Sequence, residues 1–221
     1  MTILALEQAA LVAALEIMKE LAVAAAERQF ASNALHDLVT NSSIRAGDLL
    51  ARASTFGWDL RRPVTVLVAH EDGGGASGEE PTESQSAGAA RDTGLWNATV
   101  RSRDPQAASA GFATELVAII GNTDPLSIAR LVQADFRAGT RRGYSIDVSR
   151  VSASPPDIPK LYQEARTAAS VGRRLHGGGA VTSFAGLGLH ALFSGMPKSE
   201  LRSFLNDTLG PVLMLPVDQT R

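Results

Sequence analysis

Two glycine runs carry the letters of known chemistries. Gly73-x-Gly75-x-x-Gly78 follows a predicted strand and matches the spacing of a dinucleotide-binding fingerprint. That chemistry needs a helix to begin at once, so that its N-terminus meets the pyrophosphate. Here the glycines run into Glu79, Glu80 and Pro81, which repel phosphate and supply no immediate helix. The expectation is a flexible low-complexity loop over 70–86. His176-Gly177-Gly178-Gly179 spells the oxyanion-hole motif of some lipases and esterases. That motif works with a serine on a Gly-x-Ser-x-Gly elbow, and the chain contains no such pentapeptide. The glycines are expected instead to stop a helix and turn the chain into a strand.

Metal and acid–base chemistry fare no better. His36, His70, His176 and His190 lack the paired spacing that puts two imidazoles on one helix face. His70 beside Glu71 and Asp72 reads as part of a solvated acidic loop. Asp147, Asp157, Glu164 and Asp207 are each accounted for by strand faces, helix starts and surfaces. Nothing marks two of them as a pair in opposed environments. No residue is therefore assigned a catalytic, cofactor-binding or metal-binding role, and no cofactor is expected.

The bulk numbers narrow the class. A chain of 221 residues with 44% hydrophobic and 20% charged residues can build a core without staples. Aromatics are only 5%, so aliphatic side chains must fill that core. Cysteine is absent, which excludes disulfides, thiolate metal sites and a cysteine nucleophile. The net charge is −2 and the basic doublets Arg61-Arg62, Arg141-Arg142 and Arg173-Arg174 are scattered among acids. That balance argues against a bare nucleic-acid binder. Glu7 and Glu16 interrupt the apolar N-terminus, so neither a signal peptide nor a membrane span is expected, and a cytoplasmic location is.

The elements that would position any site follow from periodicity. Residues 3–40 read as one long helix without Gly or Pro. Leu11, Leu15, Met18, Ala22 and Ala25 recur in alternating steps of four and three, the seam of a coiled coil. A second stripe runs through Ile17, Leu21, Ala24 and Ala31 to Leu35 and Leu38. The two stripes predict a partner helix on one side and the following domain on the other. A short helix over 44–56, capped by Ser43 and ended by Gly57, leads to a buried strand at Val64–Val68. Further elements are a helix over 87–103, strands over 106–112 and 115–120, and a helix over 125–139. The inner side of that last helix is read as Leu126, Ile128, Leu131, Val132 and Phe136. A half-buried strand over 144–151, a helix over 158–175, a strand over 180–184 and terminal helices over 187–194 and 198–209 complete the order. The predicted fold class is α/β (α+β): a mixed central sheet with flanking helices, ferredoxin-like, preceded by the long helix.

The run GRRLHGGGAVTSFAGLGLHALFSGMP (172–197), with ELRSFLNDTLGPVL (200–213), resembles the PucR/CdaR family of bacterial transcriptional regulators. LHDLVT (35–40) and DLLARASTFGWDLRRPVTVLVA (48–69) look like the start of that family's middle domain. The resemblance implies a sensor domain feeding a long helix, a degenerate GGDEF-like domain related to diguanylate cyclases, and a C-terminal helix-turn-helix that binds DNA. It divides the chain into a linker and dimerisation helix (1–42), a GGDEF-like domain (43–190) and a helical segment (191–221) leading to a DNA-binding domain beyond Arg221. Diguanylate cyclases carry GGDEF on a hairpin and a metal-binding aspartate at the end of the first strand. The best local match is Phe112-Ala113-Thr114-Glu115-Leu116, where only Glu115 fits, and the first strand ends in Ala69-His70. Without two carboxylates for Mg²⁺, triphosphate chemistry loses its charge neutralisation. Glu115 is then expected to be an ordinary strand-edge residue. The expected function is non-catalytic: a homodimer through the N-terminal helix, a possible small-molecule effector, and DNA contact only through the missing domain. The alternative is a nucleotide-binding or residual nucleotidyl-cyclase-like domain.

Overall fold

A computed structural model describes residues 2–43, 45–73, 83–112, 115–121 and 123–188, with isolated positions 190, 199, 203 and 207. The alanine- and leucine-rich N-terminus forms α1 (Thr2–Thr40), followed by α2 (Ala46–Thr55). Then come β1 (Val64–Glu71), α3 (Glu83–Arg103), β2 (Ala108–Phe112), β3 (Glu115–Gly121), α4 (Pro125–Gly139), β4 (Tyr144–Val148), α5 (Ile158–His176) and β5 (Val181–Ser183). The strands form one mixed sheet in the order β2-β3-β1-β4-β5, antiparallel except for the β4–β5 pair. The fold class read from the sequence holds.

Strand alternation sorts the core into two layers. Val64, Val66 and Val68 of β1, with Val117 and Ile119 of β3, pack against the end of α1, α2 and α5. Leu67 and Ala69, with Leu116, Ala118 and Ile120, face α3 and α4 on the other side. Both faces are covered, so the strand patterns are near-continuously apolar rather than alternating.

Several local expectations are corrected. Arg45, not Ser43, precedes α2, with no side-chain cap; the Asn41 side chain accepts from the Ser43 N–H instead. Gly57 does end that helix with a positive φ of 74°. β4 is buried on both faces, not half-buried, because helices cover both sides of the sheet. Leu131 on α4 is 48% exposed, and Ala129 takes the inward position. The second stripe of α1 meets the domain only from Ala31 onward, through Leu35, Leu38 and Val39; Ile17 and Leu21 stay exposed. The loop expected over 70–86 begins as strand and turn through Gly73, and α3 already starts at Glu83; residues 74–82 lie outside the described residues. So do most of the terminal helices expected over 187–194 and 198–209, with Ile44, Ala113 and Thr114.

α5 approaches the sheet closely through small residues, Ala165, Ala168, Ala169 and Gly172. A Cβ on Gly172 would collide with the Thr182 hydroxyl oxygen. Gly172→Ala is expected to push the short β5 away and cost about 1–3 kcal/mol, read from the urea midpoint. An unchanged midpoint would refute the close-packing account.

Candidate functional site

The functional residues gather where β1 ends, β2 turns into β3 and β4 begins. Register sets which face each one takes. His70 is opposite Glu115 on β3 and Ser145 on β4, so it points to the α5 face, and Glu71 points to the α3 face.

On the α5 face, Glu115 is knitted into the protein rather than lying at a free edge as expected. Its strand has neighbours on both sides, and its side chain is 11% exposed. It accepts a hydrogen bond from the Tyr162 hydroxyl, with Arg166 Nε at 3.8 Å and His70 Nε2 at 3.9 Å. Burial, then the Glu115 hydrogen bond and charge, raises the Tyr162 hydroxyl well above its ordinary value. Burial also lowers the His70 pKa; Glu115 opposes that, while Arg173 and Arg166 reinforce it. The balance favours the neutral imidazole.

Asp147 on β4 is the carboxyl the sequence reading passed over. It is buried at 2% exposure. Desolvation pushes its pKa up to about 7, against a Thr182 hydrogen bond and the Arg173 charge, with Asp72 raising it further. Asp72 closes this end of the sheet: its carboxylate accepts from Ser145 Oγ at 2.6 Å and from the Gly179 N–H at 2.7 Å. The glycine run His176–Gly179 thus caps α5, with φ of 72° at Gly177, and returns to the sheet on Asp72. Gly178 has no room for a side chain, since a Cβ there would lie 2.9 Å from Asp72 Cγ.

On the α3 face a cleft of about 190 Å³ is lined by Glu71, Thr93, Phe112, Arg142 and Tyr144, among others. Arg142 bridges Glu71 at 3.1 Å and reaches Asp92 at 3.6 Å. Tyr144 donates to Asp92, and its pKa is raised first by burial and then by the Asp92 charge.

The remaining sequence candidates do not join this site. His36 packs edge-on to Phe112, His176 is exposed at the end of α5, and His190 lies 3.2 Å from the Leu187 carbonyl. Glu164 is buried against Arg150, Asp157 accepts from Ser152, and Asp207 accepts from Ser203. Leu11, Leu15 and Met18 are exposed on α1, as are Ala22 and Ala25.

A magnesium–triphosphate site needs carboxylates free to ligate metal. Glu71, Asp72 and Glu115 are instead each engaged by cations or donors of the protein itself. Among the described residues no group of three or more His, Asp or Glu side chains is arranged to hold a metal ion. The described residues do not fit that group. Nor, among them, is any helix long and apolar enough to cross a membrane.

Among solved structures, an EAL/GGDEF domain protein from M. capsulatus is similar, with 16% identity, a TM-score of 0.46, and 61% of this chain and 93% of that chain covered. The active GGEEF domain of a diguanylate cyclase from Vibrio cholerae is similar at 15% identity and a TM-score of 0.45, covering 61% of this chain and 88% of that one. No curated protein matches the chain. A family model described as GGDEF-like domain matches residues 40–171, more than half of the sequence, from the last turn of α1 through most of α5. The chain belongs to the GGDEF-like domain family.

Proposed function

We propose that this chain is the non-catalytic regulatory and dimerisation region of a PucR/CdaR-type, DNA-binding, cytoplasmic transcription regulator. It couples an effector signal to transcription, with DNA contacted through a helix-turn-helix outside this sequence. The observation that carries the reading is the apolar surface of α1. Leu11, Val12, Leu15, Met18 and Phe30 are each between 66% and 73% exposed. Large apolar side chains left exposed along one helix mark an interaction site, and the seam spacing of Leu11, Leu15, Met18, Ala22 and Ala25 fits a second copy of the same helix. The engagement of Glu71, Asp72 and Glu115 within the protein supports the non-catalytic part.

Sedimentation over a concentration series tests the pairing. A dimer is expected at micromolar concentration, and Leu15→Glu with Met18→Glu is expected to weaken it at least about a hundredfold, because the seam would bury two charges. These side chains are exposed in the protomer, so the substitutions leave its fold intact. A strict monomer at high micromolar concentration ends the dimer reading.

A competing reading, a nucleotide-binding or residual cyclase-like domain, draws on family membership and the cleft on the α3 face. Calorimetry with GTP, ATP and cyclic dinucleotides, with and without Mg²⁺, separates the two. Micromolar binding or turnover favours the competitor.

A further inference from the structure

The α5 face of the site holds a second cleft, of about 430 Å³, walled by His70, Arg166, Ala169, Ser170, Arg173 and Arg174. Arg166, Arg173 and Arg174 are spaced seven and eight residues apart, two helical turns, so they stand over one face of α5. The small Ala169 and Ser170 between them keep the space open. Arg166 is shared with Glu115 at 3.8 Å and lies over the Tyr162 ring.

The side chain of His70, another wall of the cleft, is 16% exposed. Its Nε2 is buried and has no hydrogen-bond partner. The nearest carboxylate oxygen, on Glu115, is 3.9 Å away, beyond hydrogen-bond reach. Buried polar atoms are nearly always paired, so the unpaired imidazole nitrogen behind this wall of the cleft is an unmet hydrogen-bonding group, a donor in its Nε2–H tautomer. Two carboxyls bear on the same space. Glu115 is spoken for by Tyr162, and Asp147, which feels Arg173, is only partly ionised near pH 7 because burial pushes its pKa up to about 7. Three guanidinium groups therefore outweigh the acids, and the excess positive charge matches one or two negative charges on a ligand.

We propose that this cleft is the effector site and that it binds a small oxyanion, the phosphate or carboxylate group of a metabolite, without a metal ion. Arg173 and Arg174 form charge-assisted hydrogen bonds to it from the helix, and the His70 ring, in its Nε2–H tautomer, turns toward the cleft to donate a third. The inference rests on the regulatory reading and deepens it by giving the effector a place and a charge.

The test follows the His70 imidazole by ¹H–¹⁵N NMR in the full chain. With four histidines, its resonance is assigned by comparison with His70→Gln. Inorganic phosphate and succinate are titrated separately, without Mg²⁺, against chloride at matched ionic strength. A saturable shift is expected with at least one. Phosphate alone identifies a phosphorylated effector, succinate alone a carboxylic acid, and both identify the shared oxyanion chemistry. Arg173→Ala with Arg174→Ala, shown by circular dichroism to retain its melting transition, is expected to bind at least about tenfold more weakly.

No saturable shift with either anion overturns the proposal. So does binding unchanged by the arginine substitutions, or a shift produced only by GTP with Mg²⁺. The dimer is measured independently by sedimentation. An intact dimer without anion binding refutes this site alone, and a monomer that binds refutes only the pairing.

Discussion

Trp96→Ala is expected to lower the unfolding free energy by about 3–5 kcal/mol, the usual cost of deleting a fully buried large aromatic. Trp96 has no exposed surface and lies at the centre of the α3/α4 layer. Its ring meets Phe136 edge-on at 5.5 Å, and Phe136 in turn meets Tyr144 at 5.0 Å. Its indole N–H donates to the Val117 carbonyl at 3.1 Å. Aromatics are only 5% of the chain, so few other side chains could fill the void. Trp96→Phe keeps the ring contact and loses the hydrogen bond, and a smaller loss of about 1–2 kcal/mol is expected. Urea unfolding of the three proteins at one pH measures both. A loss under about 1 kcal/mol for the alanine variant would mean that the layer collapses into the space.

The second large effect is a pH dependence set by Asp147. Its pKa stands at about 7 in the folded protein against an ordinary value of 3.8, because burial penalises the charged form. Below the ordinary value the carboxyl is protonated in both states, and its contribution to stability is intact. Between that value and about 7 the folded state holds a proton that the unfolded state has released. Stability must then fall as pH rises, by up to ~1.4 kcal/mol per pH unit for this one group. Above about 7 both states are ionised and the loss is complete. Asp147→Asn removes the titration. The variant is expected to match the parent at pH 4 and to exceed it increasingly toward pH 8, in paired urea titrations. Curves that stay parallel across that range would show that Asp147 does not titrate in this window.

Much of the fold was legible because periodicity reports burial directly. The order of strands and helices around the sheet, the long α1 and the 125–139 helix all follow from apolar spacing. What local pattern cannot report is the second covering layer. Tyr144–Val148 alternates polar and apolar residues, yet Ser145 and Asp147 are buried because β4 lies inside the sheet with α4 on one face and α5 on the other. The site was less legible still, because its partners are distant in sequence. Glu115 meets Tyr162 across 47 residues, and Asp72 meets Gly179 across 107. The glycine run was correctly read as a cap, but nothing local says that Asp72 receives it. One signal was available: a glycine inside α5, one helical turn after Ala168 and Ala169, marks close approach to a neighbouring strand.

Helix α1 first touches the domain near Ala31, where Ser32 donates to the Gly111 carbonyl and His36 meets Phe112. The residues before that contact extend roughly 40 Å outward at 1.5 Å per residue. A rod of that length clamped at one end is a lever: a tilt of roughly 5° at the clamp sweeps the far tip through about 4 Å. The clamp grips β2, whose hairpin partner carries Glu115. A shift of less than an ångström at the hairpin would thereby be geared up into a displacement of several ångströms at the far end of the helix.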